Sequence, residues 1–137
     1  MQIPEWTDSE NDVEAVVGQD VIFQWKYTYP FKSAAVITTK QSLNNIDDLV
    51  DIGFWYDGSF NAADPFMNRV SFSLTSQDKH ATDDTEIITL TLMNVRPEDF
   101  GCYYICKLVL GDGEQTTNKR ILKLKGNILE CHYRCIM

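Results

Sequence analysis

Four cysteines are the residues best placed to do chemistry in this chain, and they fall as two Cys-x-x-x-Cys pairs, Cys102 with Cys106 and Cys131 with Cys135. With His132 beside the second pair they offer the thiolate and imidazole ligands that zinc prefers. Cys102 and Cys106, however, sit in a run of alternating residues, where positions four apart are separated by ~13 Å. That is too far for one tetrahedral ion, and bridged Cα atoms must lie within ~7 Å. No metal is expected, and His132 and His80 read as surface residues. Asp83, Asp84 and Glu86 lie close together but without a calcium-loop motif, so they read as a solvated turn. The chain has no Gly-x-Ser-x-Gly, no His-Glu-x-x-His and no phosphate-cradling glycine loop. Neither an enzyme nor a cofactor is expected.

Composition narrows the partners. The chain has 137 residues, room for one domain with a real core, and 44% of them are hydrophobic, too many for a disordered chain. Twelve basic residues against twenty acidic ones give a formal charge of -8 with no basic cluster. That balance excludes nucleic acid and anionic membrane surfaces, which need a positive field. No apolar run reaches the ~20 residues of a membrane span, and Gln2-Ile3-Pro4-Glu5-Trp6 is unlike a leader. The chain is therefore read as a fragment, with any leader and anchor outside it. An even cysteine count points to disulfides and an oxidising compartment, although no Asn-x-Ser/Thr sequon accompanies it.

The elements that must position these residues are strands. Short alternating runs between turn residues recur, and none keeps a helical apolar stripe. Val13 to Val17 leads through Gly18-Gln19-Asp20 to Val21, Phe23, Trp25 and Tyr27, which alternate with Ile22, Gln24 and Lys26. Strands are then expected at Ala35 to Gln41, Leu49 to Tyr56 (closed by Asp57-Gly58), Asn61 to Asp64, Arg69 to Leu74, Glu86 to Met93, Tyr103 to Val109 and Lys119 to Lys125. The sum is an all-β sandwich of about nine strands over residues 1–125, followed by a cysteine-containing tail or linker at 126–137.

Asp99-Phe100-Gly101-Cys102-Tyr103, preceded by Leu90-Thr91-Leu92-Met93-Asn94-Val95-Arg96-Pro97-Glu98, closely resembles the corner between strands E and F of variable-type immunoglobulin domains. Gly18-x-x-Val21-x-Phe23 resembles their strand B. The resemblance implies that Arg69 pairs with Asp99, that Gly101 allows a close turn, and that the Tyr103 hydroxyl bonds back to the corner. Trp25 then stands where strand B carries its cysteine, and Ile105 where strand F carries the other. Trp25 is expected to pack on Ile105 in place of that disulfide, with Thr38 making room. A one-residue shift, with Tyr104 at the corner and Cys106 in the strand F position, is the alternative; it puts Asp99 and Gly101 out of register. The variable-type signature without these two cysteines resembles the outer domains of hydroid allorecognition receptors, which bind themselves homophilically.

With Tyr103 and Ile105 facing inward, Cys102, Tyr104 and Cys106 face outward on the sheet made by the expected strands Ala35 to Gln41 (C), Leu49 to Tyr56 (C′), Tyr103 to Val109 (F) and Lys119 to Lys125 (G). The tail emerges near Cys102, so disulfides from strand F to Cys131 and Cys135 are expected, in parallel or crossed pairing. Ile37, Thr39, Lys40, Phe54, Tyr56, Asp57, Tyr104 and Lys119 make up the expected binding face, because rigid aromatics give contact area at little entropic cost. The expected function is the membrane-distal recognition domain of a single-pass cell-surface receptor. It would act outside the cell and meet a protein on an apposed cell, first of all another copy of itself. The rival reading is a secreted or viral decoy that binds a host receptor.

Overall fold

A computed structural model describes residues 5–7, 12–29, 36–42, 49–77, 84–109, 113 and 115–125. They form two packed β-sheets. One is four-stranded, in the order β1 (Glu5–Trp6), β3 (Val21–Tyr29), β8 (Asp84–Leu92), β7 (Val70–Gln77). The other is six-stranded, in the order β2 (Asp12–Ala15), β10 (Gln115–Leu124), β9 (Tyr103–Val109), β4 (Val36–Ser42), β5 (Leu49–Tyr56), β6 (Ser59–Ala62). Every pairing is antiparallel except β2 with β10. The ten strands are one more than the expected nine. No helix among the described residues is long and apolar enough to cross a membrane.

Strict alternation makes the four-stranded sheet. Val21, Phe23, Trp25 and Tyr27 point inward, opposite Leu92, Leu90, Ile88 and Glu86, while Ile22 and Gln24 face solvent. Phe23 stacks on Tyr104 of the other sheet at 4.6 Å between ring centroids, and Phe72 stacks on Phe60 at 4.5 Å. Two polar ties also cross between the sheets: Arg120 Nη2 donates to the Gln24 carbonyl at 2.9 Å, and Trp6 Nε1 to Thr116 Oγ1 at 2.9 Å. The β5–β6 hairpin turns on Asp57 and Gly58, both at positive φ (52° and 84°). That is the two-residue loop whose twist suits a hairpin.

The corner before β9 departs from the sequence reading by one residue. Asp99 is buried, and its Oδ2 accepts from Arg69 Nη2 at 2.6 Å and from the Arg96 amide at 2.8 Å. The hydroxyl that reaches back is that of Tyr104: it donates to the Asp99 carbonyl at 2.9 Å and accepts from Gln41 Nε2 at 2.8 Å. Tyr103, expected in that role, is 40% exposed, and Ile105 is half-buried on the outer side rather than a core residue. Gly101, at φ 79°, donates its amide to the Leu122 carbonyl at 2.7 Å and so ties the corner to β10. Since side chains alternate with period two, this single step turns Cys102, Tyr104, Cys106 and Leu108 inward together.

Trp25 is wholly buried, but its neighbours differ from those expected. Phe23 stacks on it at 6.1 Å, and the Arg120 guanidinium lies 5.7 Å from its ring centroid. Ile105, expected to pack against it, and Thr38, expected to make room for it, lie on the outer side of the six-stranded sheet. Cys102 and Cys106 are buried free thiols, not the outward pair expected. Burial, reinforced by the nearby Asp99 charge, pushes the Cys102 thiol up to about 11. Burial raises the Cys106 thiol too, against a smaller opposing effect of Arg120. Cys131, Cys135 and the rest of the tail lie outside the described residues, as do His80 and His132.

Candidate recognition face

The inward turn of β9 decides what the opposite side of the six-stranded sheet displays. Tyr103, Ile105 and Lys107 project outward from β9, Lys119 and Lys123 from β10, and Thr38 and Lys40 from β4. β5 adds Asp51, Phe54 and Tyr56. Strand register lines these up: Lys119 opposes Ile105, which opposes Lys40, which opposes Asp51, and in the next row Lys107 opposes Thr38, which opposes Phe54.

Of the expected binding face, Lys40, Phe54, Tyr56 and Lys119 lie on this surface and Asp57 at the hairpin tip beside it. Ile37, Thr39 and Tyr104 do not, being 0%, 1% and 0% exposed. Their burial follows from the step at the corner: β4 pairs with β9 residue for residue, so Ile37 and Thr39 share the inward side with Leu108 and Cys106. The reading missed Tyr103, Ile105 and Lys107. A signal for them was present in the charges, because Lys107 and Lys40 cannot face a dry core, and fixing those two outward fixes both strands.

Two lysines of the face are paired with carboxylates. Lys40 Nζ lies 2.8 Å from Asp51 Oδ1, and Lys123 Nζ lies 2.8 Å from Asp12 Oδ2. The Lys119 ammonium stands 4.9 Å from the Tyr103 ring centroid, a cation held against an aromatic face. Leu49, Phe54, Tyr56 and Tyr103, all 40% exposed or more, belong to this sheet. No cluster of three or more metal-ligating side chains occurs among the described residues.

No family model matches the chain, and no curated protein does. Solved structures match widely, with 1007 chains similar in fold. One is murine CRIg, at 15% identity and a TM-score of 0.62, with 91% of this chain and 100% of that chain covered. The architecture is an all-β, immunoglobulin-like sandwich of the variable type, and the order of its two sheets is the one that type requires.

Proposed function

We propose that this domain is the membrane-distal recognition module of a cell-surface receptor, and that it binds a second copy of itself on an apposed cell in the manner of allorecognition receptors. The observation that carries the reading is the outer face of the six-stranded sheet, where Phe54, Tyr56 and Tyr103 stand exposed among lysines. Large aromatic area set in a rigid sheet suits a protein interface, since these side chains lose little entropy on contact. The absence of the sequence patterns of hydrolases and nucleotide-binding enzymes from the chain agrees with it. Between cells many copies act together, so weak single-domain affinity suffices for adhesion.

Beads coated with the domain test the proposal. Wild-type beads are expected to aggregate above a threshold coating density, and Phe54→Ala with Tyr103→Ala to raise that threshold, because hot-spot aromatics contribute ~2 kcal/mol or more each. Circular dichroism and unchanged melting show that the variant is folded. Beads that stay dispersed at every density in physiological salt would overturn self-recognition.

A further inference from the structure

A bulge in β5 opens a hollow on the outer face. β4 and β5 change register between Thr39 and Lys40: Thr39 opposes Gly53 but Lys40 opposes Asp51, so Ile52 is the extra residue. Ile52 and Gly53 are both buried, and the next side chains to face outward are Asp51 and Phe54, three apart instead of two. The missing side chain leaves a depression of about 310 Å³. Phe54, Gly53, Ala62 and Ala63 give it apolar walls, and Lys40, Asp51, Asn61 and Thr38 supply polar groups. At this size it sits at the small end of ligand sites, ~300 to 1,000 Å³, room for one ring rather than a chain.

A second observation marks the same place. Thr38 Oγ1 is buried without a hydrogen-bond partner among the described residues. A buried hydroxyl without a partner is destabilising, and a ligand that bonds to it removes that cost. Thr38 itself lines the hollow, so a ligand seated there meets this residue.

We propose that the hollow binds one residue of a neutral saccharide. The C–H face of a pyranose is apolar and lies flat against an aromatic ring, which Phe54 offers, while its hydroxyls need donors and acceptors around the rim. Lys40 donates, Asp51 accepts, the Asn61 amide and the Thr38 hydroxyl do both, and the small side chains of Ala62 and Ala63 leave the ring its space. Lys40 and Asp51 are paired at 2.8 Å, so the rim has no net charge and does not select an anionic sugar. The inference is independent of self-recognition, because it concerns a small molecule and the isolated domain.

Methyl glycosides of neutral hexoses and N-acetylhexosamines, titrated into the labelled domain and followed by 1H–15N NMR, test it. Saturable shifts are expected at Gly53, Phe54 and Asn61 for at least one glycoside. Phe54→Ala should abolish them, and Thr38→Val should weaken binding roughly tenfold, the loss of one hydrogen bond, while leaving the fold as stable or more so. No saturable shift with any glycoside would overturn the site. So would shifts that survive Phe54→Ala, or N-acetylneuraminic acid binding as tightly as the neutral sugars. A Thr38→Val variant of unchanged affinity would remove the hydroxyl from the site.

Discussion

Two adjacent tyrosines separate structure from surface in this protein. Tyr104 gives its hydroxyl to the Asp99 carbonyl and takes the Gln41 amide, wholly inside the sandwich, whereas Tyr103 shows 40% of its area to solvent. Tyr104→Phe leaves a buried carbonyl and a buried amide short of a partner, so a loss of ~1 to 3 kcal/mol is expected in urea unfolding. Tyr103→Phe is expected to stay within ~0.5 kcal/mol of wild type. Equal losses would place the corner at the wrong residue. The buried thiols make a second prediction. Cys102 binds its proton more tightly folded, at about 11, than unfolded at 9.0. A group raised in this way contributes stability that is full below the unfolded value and is lost as pH climbs through the folded one. The urea midpoint should therefore fall between pH 9 and 11, and fall less in Cys102→Ala, with both Cys102 and Cys106 resisting alkylation at pH 8 in the native domain. Rapid native labelling of either would contradict their burial.

At the scale of elements, the strands were legible and their orientation was not always so. β3 reads directly, because Val21, Phe23, Trp25 and Tyr27 are all bulky and apolar and their alternates are mostly polar. β9 is ambiguous: Tyr103 and Ile105 are as apolar as Tyr104 and Cys106, so alternation alone does not choose a side, and the corner motif chose one residue early. A one-residue error on a period of two inverts the whole strand, and β4 followed it through pairing. The β5 bulge was invisible for a similar reason, since Ile52-Gly53 reads as ordinary alternation until the partner strand shows the register change. Gly53 carries the local constraint. A Cβ there would meet Phe60 Cζ at 2.4 Å and the Asn61 carbonyl at 2.7 Å. Gly53→Ala must push β6 away from β5, and a loss of ~1 to 3 kcal/mol is expected, the usual cost of overpacking. An unchanged urea midpoint would mean that β6 yields freely.

For the molecule as a whole, the formal charge of -8 hides a face that carries Lys40, Lys107, Lys119 and Lys123 together. Lys40 and Lys123 have acidic partners in Asp51 and Asp12, and Lys107 stands on β9, between β10 and β4. A two-fold contact sets residues near its axis against their own copies, so self-recognition with the axis beside Lys107 would bring the two Lys107 ammonium groups together. Two like charges 4 Å apart cost ~1 kcal/mol in water and ~4 kcal/mol at the effective dielectric of a protein surface. In such a contact Tyr103 and Phe54 would have to outweigh that repulsion. Lys107→Glu in one population makes the mixed pair attractive and leaves the variant repelling itself. Beads of two colours, one wild type and one variant, should thus co-aggregate at lower coating density than either alone. The advantage should shrink as salt shortens the screening length from ~8 Å toward ~3 Å. If mixed beads aggregate no better than wild type at low salt, Lys107 lies away from the contact axis, and the self-recognition surface must be sought on another part of the sandwich.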